Sequence, residues 1–230
     1  MTYLFQPEDI MIPQRFLPHL LVLLATLATA GCAKPDPPTM NLYRAIRAGD
    51  INQISRNLYW GSDINAPDAD GQYPLHVAAS KGDVAIVRML LDHGAQIDAA
   101  NREGRSALYL ALAAGKTQVA RLLLKRGATF APDALLFEMV RKGQDDRDVL
   151  NFLLRHGAGI DSRDHDGNAP LHIAVAHGHR RVARMLIDHG ANVNAVNNTG
   201  ETPLAIALRL ENPDLIRLLK RNGATTTPLP

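Results

Sequence analysis

Glycine recurs along this chain at an interval that a single globular core does not produce. Gly49, Gly82 and Gly115 stand 33 residues apart, as do Gly61, Gly94 and Gly127, and the interval returns from Gly167 to Gly200 and from Gly190 to Gly223. A fixed period of about 20–50 residues means one supersecondary unit stacked on copies of itself, each burying its apolar side only against its neighbours.

The text around the glycines repeats too. It reads DGQYPLHVAASKGDVAIVRMLLDHGAQID from Asp70 to Asp98 and DGNAPLHIAVAHGHRRVARMLIDHGANVN from Asp166 to Asn194. A third copy, TGETPLAIALRLENPDLIRLLKRNGA, runs from Thr199 to Ala224. These segments resemble ankyrin repeats, with a T-P-L-H helix start, a small-residue pair, a turn glycine and an L-L-x-x-G-A ending. The resemblance covers residues 40 to about 227 and implies an all-α solenoid of helix-turn-helix units joined by β-turn fingers. Six repeats are expected, at 40–67, 68–100, 101–131, 132–162, 163–196 and 197–227, followed by a tail at 228–230.

The repeated residues have local physical reasons. Pro74, Pro170 and Pro203 suit the first turn of a helix, where the missing N–H costs nothing and φ is already set. Ala78, Ala79, Ala174 and Ala207 keep the first helix thin enough to stack closely. Gly82, Gly115 and Gly178 allow a left-handed turn into the second helix. There Ile86, Val87, Leu90 and Leu91, or Val182, Ala183, Leu186 and Ile187, form an apolar stripe at helical spacing. Gly94, Gly127, Gly157 and Gly190 end it, and fingers follow around Asp70-Gly71 and Asp166-Gly167. The outer repeats carry polar residues at stacking positions, Gln53 and Asn57 in the first and Lys220 in the last, as solvent-facing caps require.

The fourth repeat breaks the pattern. Gly115 to Gly143 is 28 residues rather than 33, and Gly143 to Gly157 is 14 rather than 12. Its finger has lost residues, the charged stretch Gln144 to Asp148 has gained two, and Phe137 replaces the motif histidine. Drift in a loop and a notch left open for a partner both account for this.

Little in the chain points to chemistry. A formal charge of +2 gives no reason to expect nucleic acid. No G-x-S-x-G, phosphate loop or HExxH motif occurs, so no enzyme and no cofactor is expected. By the resemblance, His76 and His172 bond within and between repeats. His93, His156 and His189 sit near helix C-termini, where a cation is mildly favoured. His165, His177 and His179 fall close together in the fifth repeat, but without a thiol or a ligand pair at metal spacing, so no metal is expected.

The single cysteine needs its own account. From Phe16 to Ala33 there is no Asp, Glu, Lys or Arg, and Leu20–Leu24 followed by Ala28, Thr29, Ala30 and Gly31 has the layout of a secretory signal. Glu8 and Asp9 are unusual ahead of such a run, and a start at Met11 removes them. The segment TAGC, Thr29 to Cys32, resembles the lipobox of bacterial lipoproteins, whose cysteine is acylated and becomes the mature N-terminus, though Thr29 stands where the family prefers Leu. The resemblance implies a signal peptide at 1–31, a lipid on Cys32 and an extended tether at 32–39, with Ala33 directing the protein to the outer membrane. Cleavage near Ala30 with an incidental Cys32 is the plainer alternative.

Ankyrin domains bind proteins through their finger tips and the concave face of their first helices. Carried onto this chain, the fingers offer Asp70, Gln72, Arg102, Glu103, Arg105, His165, Asp166, Asn168, Asn198 and Glu201. The first-helix face offers Arg47, Lys81, Arg141, Lys142, His177 and Arg209, a basic stripe suited to an acidic protein surface or anionic headgroups, with Ala113, Ala114 and Leu210 as its apolar middle. The leading expectation is a lipid-anchored, periplasm-facing, monomeric binding protein. Its partner is either an envelope protein it scaffolds or a toxin it neutralises as an immunity protein. The alternative is a cytoplasm-facing regulator held by an uncleaved N-terminal anchor.

Overall fold

The computed structural model describes residues 34–226. The chain divides into Met1–Pro37 and Pro38–Pro230, and every helix described here belongs to the second unit. The expected signal peptide, Cys32 and the tail at 228–230 lie outside the described residues.

Twelve α-helices follow one another as six antiparallel pairs, with no strand among the described residues. The first helices are α1 Leu42–Ala48, α3 Pro74–Lys81, α5 Ala107–Ala113, α7 Pro132–Arg141, α9 Pro170–Ala176 and α11 Pro203–Arg209. The second helices are α2 Ile51–Tyr59, α4 Val84–Asp92, α6 Thr117–Lys125, α8 Arg147–Arg155, α10 Arg180–Asp188 and α12 Pro213–Arg221. No described helix is long and apolar enough to cross a membrane.

The proline, glycine and alanine positions do what their chemistry suggests. Pro74, Pro170 and Pro203 open their helices, and Gly82, Gly115 and Gly178 take left-handed φ of 83°, 71° and 74°. Ala45, Ala78, Ala111, Ala174 and Ala207 form one fully buried column, where an extra methylene would push repeats apart at about 1–3 kcal/mol. Ile86, Leu90, Leu123, Leu150 and Leu186 fill the space between the layers and are wholly excluded from solvent.

The two ends are closed differently. Lys220 is exposed at the C-terminal repeat. Asn57, expected as a solvent-facing cap residue, is instead 2% exposed. Its Nδ2 donates to the carbonyls of Met40 and Gln53 at 2.8 Å each, and its Oδ1 accepts from Ser62. Gln53 Oε1 accepts from the Thr39 amide, so these two polar residues tie the entering chain onto the first repeat.

Two columns of side chains stitch the repeats together. The motif histidines His76 and His172 accept at Nδ1 from the backbone amides of Tyr73 and Ala169. At Nε2 they donate to later carbonyls, His76 to Ala99 at the end of its own repeat at 2.8 Å and His172 to Glu201 of the next repeat at 3.1 Å. Burial lowers the pKa of both and keeps the rings neutral, the tautomer the bonds require. Tyr43 holds the same column in the first repeat, its hydroxyl within 2.7 Å of the Ala66 and Gln72 carbonyls and its pKa raised by burial to about 12. In the second column Asn65, Asp98, Asp161 and Asn194 each accept one amide of the following repeat, from Gln96, Thr129, Asn192 and Thr225.

His93, His156 and His189 act as C-terminal caps by hydrogen bonding. Each Nδ1 contacts the carbonyl four residues earlier at 2.7–2.8 Å, the same carbonyl that accepts the histidine's own backbone N–H, so ring and backbone close the last turn on one acceptor.

Candidate functional site

Four fingers share one construction. Asp68, Asn101, Asp164 and Asn197 each bond backbone to backbone with the residue four positions on, and each side-chain Oδ1 accepts two amides inside the loop. A glycine closes each loop. At Gly167, with φ 74°, an added Cβ would stand 2.8 Å from the Asn198 backbone nitrogen. That contact reflects direct finger-to-finger packing, sealed by the Asn198 amide on the Asp166 carbonyl at 3.0 Å.

The fourth finger is absent. From Gly127 the chain passes through Ala128, Thr129, Phe130 and Ala131 straight into α7, which starts early at Pro132 and is 10 residues long against 7 or 8 for the other first helices. The two extra residues, Gln144 and Asp145, sit before the N-cap Asp146 of α8, and Gln144 Nε2 caps α5 at the Ala113 carbonyl. Asp133, on the first turn of α7, takes over the amide-accepting role, bonding the Gly159 amide near the end of the fourth repeat at 2.9 Å. Of the neighbouring first-helix pairs, α5 and α7 approach least.

A cavity of about 490 Å³ occupies the place of the missing finger. Leu108, Phe130, Ala131, Ala134 and Leu135 supply apolar surface, and Arg105, Tyr109 and Glu138 supply polar groups. Phe130 meets Phe152 edge-on at 6.2 Å, and Phe152 stacks on His156 at 4.1 Å, a rigid aromatic support.

Tyr109 falls 33 residues after His76, in the motif column. With no finger strand ahead of it, its hydroxyl turns to Glu138 and to Lys142 Nζ at 2.9 Å. Lys142 also contacts Glu138 at 2.8 Å, while Arg105 lies 3.6 Å from Glu138 and 5.1 Å above the Tyr109 ring. Burial raises the Tyr109 pKa, with the Glu138 hydrogen bond adding to it. Burial also raises that of Glu138, but bonds from Lys142 and Tyr109 outweigh it and hold the carboxyl below its usual range. The bond to Glu138 raises Lys142. The notch therefore has an apolar floor and a charge-balanced polar rim.

The basic stripe expected on the first-helix face is engaged within the chain, its arginines by acids and Lys81 by backbone carbonyls. Arg47 pairs with Asp68 at 3.0 Å, Arg141 with Asp164 at 3.7 Å and Arg209 with Glu201 at 3.2 Å. Lys81 Nζ caps α1 on the carbonyls of Ile46 and Arg47. The expected apolar middle is also divided: Ala113 and Ala114 border the notch, whereas Leu210, 45% exposed, ends the last first helix three repeats away.

The finger residues separate into committed and open groups. Arg105 pairs with Glu103, Asn168 accepts from Asn197 at 2.9 Å, and Gln72 is half-buried. Asp70, Arg102, His165, Asp166 and Asn198 are exposed at the tips. His177 and His179 stack at 5.7 Å, but His165 is not grouped with them; it lies beside Asp166 and Asp164.

The second-helix face carries cations that the sequence reading passed over. Arg88, Arg121, Arg184 and Arg217 occupy one repeat position on α4, α6, α10 and α12, with Asn151 of α8 filling the gap. Among the described residues none of these arginine side chains has an ion pair or a hydrogen bond. Their recurrence at the repeat interval was the signal that could have found them.

A family model described as Ankyrin repeats (3 copies) matches residues 42–132 and 136–228. The chain is similar to the human ASB11 ankyrin repeat domain, at 26% identity and a TM-score of 0.62 over 80% of this chain and 84% of that one. It is similar to the ankyrin repeat domain of Bcl-3, described as a unique member of the IkappaB protein family, at 28% identity and 0.64 over 83% and 89%. A third likeness, at 25% identity and 0.59 over 80% and 98%, is to a chain in the structure of Bd0816, a predatory endopeptidase from Bdellovibrio bacteriovorus, in complex with immunity protein Bd3460. No curated protein sequence matches the chain significantly.

Proposed function

Because the chain belongs to the ankyrin-repeat family and is a protein–protein interaction module, we propose that it acts without catalysis, by seating a protein partner on its finger and first-helix face. The notch left by the fourth finger is the central contact, and this observation carries the reading. It joins apolar surface to a fixed polar rim, so a partner loop can insert an apolar side chain with little ordering cost. The balanced charges there select for shape and apolar character, and the exposed tips Asp70, Arg102, His165, Asp166 and Asn198 add polar contacts around it.

In this reading residues 1–31 are a signal peptide, Cys32 carries the lipid, 32–39 form the tether, and the repeats face the periplasm from the outer membrane as a monomer. Several acyl chains anchor stably, at about 0.8 kcal/mol per buried CH₂. Of the two roles, scaffold and immunity protein, the second is favoured by the likeness to a chain from an endopeptidase–immunity protein complex. The partner is then an enzyme harmful in the periplasm, blocked by occlusion.

Ala134 is exposed in the notch, so Ala134→Trp fills it without entering the core. Crosslinked capture from envelope fractions, with added candidate periplasmic toxins, should retain one dominant partner on the wild-type chain and lose it on Ala134→Trp. Capture unchanged by that substitution overturns the notch as the contact. A retained enzyme whose activity survives binding overturns inhibition. Mass analysis of the N-terminus should find acylated Cys32; an intact N-terminus at Met1 or Met11 would favour the anchored regulator instead.

A further inference from the structure

Between α10 and α12 lies a groove of about 340 Å³, walled by Arg180 and Arg184 on one side and Arg217 and Arg221 on the other. Ile187 and Leu218 form its floor, and Asp188 and Asp214 stand within it. Asp188 is engaged by Arg147 at 3.0 Å. Among the described residues none of the four arginine side chains has an ion pair or a hydrogen bond, and all four are exposed. The two aspartates offset part of this charge, but four guanidinium groups outnumber them, so the groove keeps an excess of positive charge that an outside anion would relieve.

We propose that this groove docks the phosphate headgroups of an anionic membrane surface. Guanidinium forks match phosphate oxygens two bonds at a time, and four of them converge here. The rest of the second-helix face supports a lipid surface over other polyanions. Arg88 and Arg121 continue the arginine row along α4 and α6. At the far end Tyr59 and Trp60 are 58% and 41% exposed, the amphipathic residue types that settle at a membrane–water interface, with the apolar Ile51 beside them 44% exposed. The groove has no aromatic side chain for base stacking, which single-stranded nucleic acid would use. The opposite face stays free for a protein partner, and the inference stands independently of a lipid on Cys32.

The full chain carrying Cys32→Ser, which cannot be acylated, is sedimented with phosphatidylcholine vesicles with and without phosphatidylglycerol. The phosphatidylcholine arm measures whatever the apolar N-terminal run contributes. Phosphatidylglycerol should raise partitioning at low salt, and high salt should abolish the rise. Arg184→Gln with Arg217→Gln should lower it about 30-fold, from about 1 kcal/mol per arginine near an anionic surface, with unchanged circular dichroism. Equal partitioning into both vesicle types, or a rise that survives the double substitution, overturns the proposal. So does binding of short-chain polyphosphate or polyglutamate at these arginines without vesicle binding.

Discussion

The two helical layers handle the same charge in opposite ways. On the first-helix face Arg47, Arg141 and Arg209 meet Asp68, Asp164 and Glu201. On the second-helix face Arg88, Arg121, Arg184 and Arg217 form no ion pair among the described residues. The difference follows from repeat geometry. Stacking in register places each position beside its own copies, so a charge repeated at one position faces like charge across the interface. Only an element that reaches out of register can bring an opposite charge, and the fingers do that for the first helices. The second helices have no finger beside them; Arg126, Arg147 and Arg181 still pair with Asp92, Asp188 and Asp145, but the row of Arg88, Arg121, Arg184 and Arg217 stays open to partners.

The largest effect should come from breaking the neutral stitches on the finger side. His172→Ala removes one bond inside its repeat and one to the next, at a site with no exposure, and should lower stability by about 2–4 kcal/mol in urea unfolding. The same stitches predict a pH dependence. His76 and His172 have folded pKa values below 6.5, so the fold prefers them neutral. Their stabilisation is complete above pH about 6.5 and is lost as pH falls through the folded values. Titrated urea midpoints should show this loss, and replacing both histidines with Gln should flatten it.

A smaller effect is expected at the notch. Glu138→Gln leaves Lys142 and Arg105 without their shared carboxylate, yet the site is a third exposed, so the cost should stay below about 1 kcal/mol. The Tyr109 hydroxyl should titrate lower once that carboxylate is gone, which ultraviolet titration can follow. The smallest effects sharpen the contrast between layers. Asp164→Asn preserves the finger bonds, as Asn101 and Asn197 do naturally, and should cost about 0.2–1 kcal/mol that salt removes. Arg184→Gln should be neutral or stabilising by a few tenths of a kcal/mol at low salt, because it relieves like-charge repulsion.

Much of this was legible residue by residue. Pro74, Gly82 and Ala78 act through local conformation and bulk, so their roles follow from type and spacing. Tyr43 and Tyr109 were equally accessible, standing one period before and one after His76, but the motif was read as histidine alone. The polarity of Asn57 points outward on sequence grounds; burial with three satisfied hydrogen bonds reverses that. The shortened fourth unit was visible as a count, whereas the early start of α7 at Pro132 and the cavity it leaves depend on how α5 and α7 then pack.

The sequence by itself determined the repeat, its six units, the helix and turn positions and the irregular fourth unit. Each of these rests on backbone preferences and on a period that one chain carries in full. Only the tertiary structure decided which charges cancel, because Arg141 and Asp164 belong to different repeats and meet through the reach of a finger. It also decided where space remains open, since a cavity is a property of packed surfaces and no single residue encodes it.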